Sequence, residues 1–209
     1  MHPAIGLLVA NVAGSFPSAY LAGRWMKGID LRTVGSGNLG ATNVLRTLGA
    51  PAAVAVLLLD ALKGGLPVYW LPRLLDVGEP RSDRALWWAL AYGIAAIAGH
   101  TKPVFLRWKG GGKGVATAAG VFAALVPGAL ASTVVMFVIV VAVSGYVSLG
   151  SLVAAVALPI LVWLDHGITP VFDVSIAVAL FIFWSHRANI QRLRAGTESS
   201  IRGKKGTAE

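Results

Sequence analysis

Residues 115–143 read VATAAGVFAALVPGALASTVVMFVIVVAV: 29 residues without a charge, interrupted near the middle by Pro127-Gly128. A bilayer-spanning helix needs about 20 residues, so one helix here is too long and two are short. Proline followed by glycine is a strong break in a helical pattern. Charge placement decides between the two. Fourteen of the 18 Lys and Arg fall in three clusters, at 24–46, 102–113 and 187–205. One helix at 115–143 gives six spans and puts the last cluster opposite the other two. A split at Pro127-Gly128 gives seven and puts all three on one side. Basic residues mark the cytoplasmic side. The sequence therefore predicts an all-α polytopic membrane protein of about seven transmembrane helices, N-terminus outside and C-terminus cytoplasmic.

The rest of the chain is consistent with that reading. Of the 209 residues, 56% are hydrophobic and 13% charged, and the mean hydropathy is +0.72, outside the soluble range. The expected spans are 4–22, 51–71, 85–105, 115–126, 128–143, 149–163 and 171–184, with a short helix at 41–48. Together they make a single transmembrane domain, 1–194, followed by a polar basic tail, 195–209, expected to be flexible. The first apolar run has no basic n-region and no A-x-A site, so it reads as a retained span. The loop at 72–84 balances Arg73, Arg81 and Arg84 against Asp76, Glu79 and Asp83, as suits an outer face. The net charge of +9 flanks spans instead of forming one soluble basic face, which argues against a nucleic-acid partner. Asp60 and Lys63 lie inside the second span, where i,i+3 spacing lets them pair.

The polar turns on the predicted inner face share a vocabulary. Gly35-Ser36-Gly37-Asn38-Leu39-Gly40-Ala41-Thr42-Asn43 offers backbone donors and short hydrogen-bonding side chains. Gly110-Gly111-Gly112-Lys113-Gly114 can turn its amides inward as an anion nest, with Lys113 as a point charge and the N-terminus of the next helix behind it. A nucleotide P-loop fits worse: Lys113 is followed by Gly114, and position 107, where that motif needs glycine, is Arg. Ser144 to Ser151 supplies hydroxyls, and Ser185-His186-Arg187-Ala188-Asn189 supplies an imidazole, a guanidinium and an amide. Such groups suit phosphate. Nine carboxylates and four histidines leave no D-x-x-D pair, H-E-x-x-H or histidine cluster for a catalytic metal, and there is no G-x-S-x-G elbow. No metal or cofactor is expected. His100 and His186 are the only histidines on the inner side.

Three of these stretches, Gly35-Ser36-Gly37-Asn38-x-Gly-x-Thr42-Asn43, Gly111-Gly112-Lys113-Gly114-Val115-Ala116-Thr117 and His186-Arg187-x-Asn189-Ile190, resemble in order the signature motifs of the bacterial acyl-phosphate:glycerol-3-phosphate acyltransferase (PlsY) family. Asp60-x-x-Lys63-Gly64 and the turn at 146–151 add to the resemblance. One departure is that three glycines precede Lys113 where the resemblance leads one to expect two.

The resemblance implies transfer of a fatty acyl group from acyl phosphate to the 1-hydroxyl of glycerol 3-phosphate, giving lysophosphatidic acid at the cytoplasmic face of a bacterial inner membrane. The implied partners are the two phosphate substrates, membrane lipid and an enzyme that makes acyl phosphate. The H-x-x-x-x-D pair of acyl-thioester-using acyltransferases is absent, since Phe105 follows His100 at that spacing and Gln191 follows His186. The residues expected to be catalytic are Ser36, Asn38, Lys113 and His186. Those expected to bind substrate are Arg46, Thr42, Asn43, Gly111, Gly112, Gly114, Ser148, Ser151, Arg187 and Asn189. The base that deprotonates the hydroxyl is either His186 or a substrate phosphate oxygen. The rival reading is a small organophosphate or anion transporter, with the same turns as its binding site.

Overall fold

The computed structural model describes residues 2–78 and 82–202. Glu79 and Arg81 of the neutral loop, and the tail from 203 onward, lie outside the described residues. No strand occurs among the described residues. The helices are α1 (Ala4–Gly14), α2 (Ser18–Lys27), α3 (Ala41–Leu48), α4 (Ala50–Leu74), α5 (Asp83–Thr101), α6 (Val115–Leu125), α7 (Pro127–Ser144), α8 (Val147–His166), α9 (Pro170–Ser185) and α10 (Arg187–Arg194). All seven expected segments are helical. The break in the deciding stretch is real: α6 stops at Leu125, Val126 leaves helical geometry, and Pro127 opens α7 at a position where its missing N–H costs nothing.

Ala4–Lys27 taken together, Ala50–Leu74, Pro127–Ser144 and Val147–His166 are each long and apolar enough to cross a membrane. A fifth joins them if α9 and α10, bent by 59°, are counted as one. The first span differs from expectation. It is not one helix, because Pro17 leaves helical geometry and separates α1 from α2. The break exposes the Phe16 carbonyl as a hydrogen-bond acceptor.

The chain forms two compact units, 1–127 and 128–209. In the first, glycine lets helix backbones touch. A Cβ on Gly64 would meet the Thr117 carbonyl, and one on Gly120 the Ala61 carbonyl, so α4 and α6 are in backbone contact. A Cβ on Gly14 would likewise meet the Ala96 carbonyl of α5. Lipid supplies no hydrophobic drive between helices, so close packing of small residues holds them. Asn11 strengthens the α1–α5 contact by donating from Nδ2 to the Ala95 carbonyl at 3.1 Å. In the second unit α8 packs on α9, while α7 shows most of its apolar surface, Val135 and Val138 included. Lipid rather than water suits that surface.

Candidate active site

In the first unit, Asn43 builds the first polar loop from inside. It sits in the opening turn of α3 with 1% of its surface exposed. Its Nδ2 donates to the carbonyls of Leu31 and Val34, both at 3.1 Å, and its Oδ1 accepts from the Ser36 amide at 3.0 Å. A side-chain amide has two donor hydrogens and one acceptor oxygen, and here every kind is used on the loop's own backbone. Gly35, at φ 61°, leaves room for that Oδ1. Ser36 is thereby held at an exposed tip, and Asn38 lies half-buried beside Gly40. Thr42 and Arg46 follow on one face of α3 at i,i+4 spacing, with Arg46 exposed.

The second loop leaves α5 at Lys102 and passes through a short 3₁₀ turn, Val104–Leu106. Arg107 and Trp108 then take φ of 53° and 59°, left-handed values that cost a non-glycine residue energy. Gly110 (φ 74°) and Gly114 (φ 86°) complete the turn, and Gly114 caps α6. The glycine run is used differently from expectation. Of Gly110, Gly111 and Gly112, only Gly110 needs a positive φ. The other two are small because α5 lies against them: a Cβ on Gly111 would meet the Thr101 carbonyl, and one on Gly112 the His100 imidazole. Lys113 follows, half-buried, and the unpaired amides of the first turn of α6 come next.

The two loops touch. The alkyl stem of Arg32 packs on Gly110, where a Cβ would collide with it. Its guanidinium is paired with Asp30, Nη2 to Oδ2 at 2.6 Å, and lies 5.2 Å from the centre of the Tyr20 ring. The hydrogen bond from the Arg32 side chain holds the Asp30 carboxyl down to about 2. Arg32 is thus neutralised locally by Asp30.

In the second unit, His186 stands at the bend between α9 and α10 with 3% of its surface exposed. Its Nδ1 lies 2.8 Å from the Ile182 carbonyl. A carbonyl only accepts, so the proton sits on Nδ1, and in the neutral ring Nε2 carries the lone pair. Asn189 follows one turn later and is buried. Its Nδ2 donates to Glu198 Oε1 at 2.7 Å, and the Ser148 hydroxyl donates to the same oxygen at 2.8 Å. Arg192 Nε donates to Glu198 Oε2 at 2.7 Å. Burial pushes the Glu198 carboxyl up, but the hydrogen bonds from Asn189, Ser148 and Arg192 outweigh it and hold the group below its usual range. Ser148 and Asn189 are therefore brought together around an anion supplied by the chain itself. Ser151 donates within α8 to the Val147 carbonyl, and Arg187 is exposed, with its guanidinium 4.8 Å from the Trp184 ring centre.

Sequence reasoning missed Arg192 and Glu198. The available signal was a single carboxylate, Glu198, within the basic cluster from 187 to 205. The described part of the tail is held to its own unit, as the Ile201 amide donates to the Gly145 carbonyl at 2.9 Å.

A family model described as glycerol-3-phosphate acyltransferase matches residues 4–196. The chain belongs to the glycerol-3-phosphate acyltransferase family. The acyltransferase is 46% identical over 200 residues to a Synechococcus sp. (strain CC9902) glycerol-3-phosphate acyltransferase, covering 96% of this chain and 95% of that one. It is 42% identical to the Geobacter sulfurreducens glycerol-3-phosphate acyltransferase, covering 93% and 95%. Its fold resembles the crystal structure of PlsY (YgiH), an integral membrane glycerol 3-phosphate acyltransferase, in the glycerol 3-phosphate form. There the TM-score is 0.85 at 34% identity, with 95% of each chain covered. The lysophosphatidic acid form of PlsY gives 0.83 at 32% identity, covering 95% of this chain and 94% of that one. The acyltransferase is accordingly a multi-pass membrane protein.

Proposed function

We propose that this glycerol-3-phosphate acyltransferase takes its acyl group from an acyl phosphate and places it on the 1-hydroxyl of glycerol 3-phosphate, releasing lysophosphatidic acid and inorganic phosphate. The observation that carries the reading is the contact of the two loops in the first unit. The alkyl stem of Arg32, in the first loop, packs on Gly110 of the second, which supports reading Ser36, Asn38, Lys113 and the amides of Gly111 and Gly114 as one donor set for phosphate oxygens.

In this reading Ser36, Asn38, Lys113 and the amides of Gly111 and Gly114 hold the acyl-phosphate group and the charge that develops on it, while Gly112, whose amide donates to the His100 carbonyl, shapes the loop. Thr42 and Arg46 in the first unit, and His186 and Arg187 in the second, are the proposed contacts for glycerol 3-phosphate; Asn43 keeps the first loop in shape, and Ser148 and Asn189 are held on Glu198. The 1-hydroxyl oxygen attacks the acyl carbon and the acyl C–O bond to phosphate breaks. Phosphate is the leaving group, and the hydroxyl proton goes to a base. An acyl phosphate is already activated, so orientation and charge stabilisation suffice and neither a metal nor a cofactor enters. The shortage of protein carboxylates favours a substrate phosphate oxygen as the base. The tautomer of His186, with its lone pair on Nε2, supports His186 as the second reading.

The proposed topology is seven crossings of a bacterial inner membrane, N-terminus outside, with the site at the cytoplasmic face. Positive-inside placement of the basic clusters supports that side, where an acyl-phosphate-producing enzyme can deliver the donor. The test uses detergent-purified protein, labelled glycerol 3-phosphate, and either palmitoyl phosphate or palmitoyl-CoA without added metal. Lysophosphatidic acid from the phosphate alone is expected. Product from the thioester alone overturns the donor assignment, and bound label with no product from either donor favours the transporter.

A further inference from the structure

Beneath the second loop lies a buried ionic cluster that the proposed chemistry does not use. Asp60 Oδ1 accepts from the Ser18 hydroxyl at 2.6 Å and pairs with Lys63 Nζ at 2.7 Å. Lys63 also donates to the Phe16 carbonyl exposed by the break before α2, at 2.9 Å. His100 Nδ1 stands 3.7 Å from the same Asp60 oxygen. Exposures of 1% for Asp60, 9% for Lys63 and 6% for His100 place the whole cluster inside the first unit. Charges buried within an apolar bundle are costly and persist where they have a use.

The geometry gives the use. The other edge of the His100 ring, at Nε2, abuts Gly112 so closely that no side chain fits there, and the His100 carbonyl accepts from the Gly112 amide at 3.2 Å. A narrow cavity of about 10 Å³, at the threshold for a single water, is lined by Lys63, His100, Gly111 and Gly112. The imidazole therefore lies between a fixed carboxylate, 3.7 Å away, and the loop backbone next to Lys113. We propose that His100 is a positioning residue for the phosphate-holding loop. Asp60, itself fixed by Lys63 and Ser18, sets the ring's orientation, and the ring sets the height and direction of the Gly111–Gly114 amides. The cluster touches no substrate, and the inference rests on the reading of this loop as the phosphate site.

The test compares full-length His100→Ala, His100→Gln and Asp60→Asn with Lys113→Ala, all purified in detergent. Readouts are KM and kcat for both phosphate substrates, thermal stability, and amide hydrogen exchange across 110–115. His100→Ala is expected to raise the KM for at least one phosphate substrate about tenfold, since small misplacements cost this much or more. Exchange across 110–115 should rise with it. His100→Gln, whose amide nitrogen reaches the place of Nε2, should return KM to within about threefold of the parent. Asp60→Asn, which keeps the shape and removes the charge, should fall between the two. Lowered melting temperature with unchanged KM and unchanged loop exchange in all three overturns the proposal and leaves the cluster a packing device. If His100→Ala does not fold, the ordering of His100→Gln and Asp60→Asn decides in the same way. Full activity in Lys113→Ala would instead sink the phosphate-loop reading itself, whatever the His100 variants do.

Discussion

Asn189 and Glu198, nine residues apart, meet through a 2.7 Å hydrogen bond from Nδ2 to Oε1. The bond folds the start of the tail back over α10 and Ser148. Because Ser148 and Arg192 donate to the same carboxylate, removing it takes a partner from three donors at once. Glu198→Ala is expected to destabilise the protein by about 2–4 kcal/mol, from charge-assisted bonds at roughly 1.5–3 kcal/mol each with partial rescue by water. Glu198→Gln should cost about half as much. Thermal unfolding in detergent checks both.

The same carboxyl makes stability depend on pH. Its folded-state pKa lies below the ordinary glutamate value of 4.5. Folding therefore favours the ionised form, and the stabilisation is fully present above about 4.5 and lost as the pH falls through the lower folded value. The melting temperature of the parent should drop more steeply on acidification below that point than that of Glu198→Gln. Parallel slopes would count against the clamp.

Lys113→Ala is expected to lower kcat/KM by about a hundredfold or more, the cost of removing one preorganised charge donor, while the protein remains folded and membrane-inserted. Turnover near the parent's would remove Lys113 from the phosphate site.

His186→Ala separates the two bases. With a substrate phosphate oxygen as base, the loss should fall mainly on the KM for glycerol 3-phosphate, with kcat down by no more than about tenfold. A fall in kcat of about a thousandfold at unchanged KM assigns the proton to His186, since a positioned general base contributes roughly 10²–10⁴.

Gly120→Ala places a methyl group against the Ala61 carbonyl of α4 and forces the two backbones apart. The expected cost is about 1–3 kcal/mol, the usual penalty for overpacking. Thr117→Val, in the same contact, should be neutral within about 0.5 kcal/mol, because the buried Thr117 hydroxyl has no hydrogen-bond partner to lose. Melting temperatures of the two variants give the comparison.

Much of this was legible in one dimension. Apolar run length, the Pro127-Gly128 break and the three basic clusters are local properties, and each maps onto a helix end or a loop without knowledge of neighbours. The pairing of Asp60 with Lys63 was legible for the same reason, since i,i+3 spacing is set by helix geometry alone. The break at Pro17 was missed because the 4–22 run stays apolar through it, although a proline thirteen residues into a helix calls for a break. The purpose of Gly111 and Gly112 was misread because a sequence does not show what lies against a glycine. Positive φ and close approach both call for glycine, and only the position of His100 distinguishes them.

The sequence by itself determined an all-helical membrane protein, its segment boundaries to within a few residues, and the motifs that carry its family likeness. These follow from hydrophobicity and charge, which act residue by residue. Only the tertiary structure decided that Asn43 shapes its loop, that Glu198 gathers Ser148, Asn189 and Arg192, and that His100 underlies Gly112. Each of these depends on hydrogen bonds or contacts between residues from 6 to 50 positions apart, or on glycine faces with no side chain to announce a partner. Such contacts are selected by the packing of whole helices.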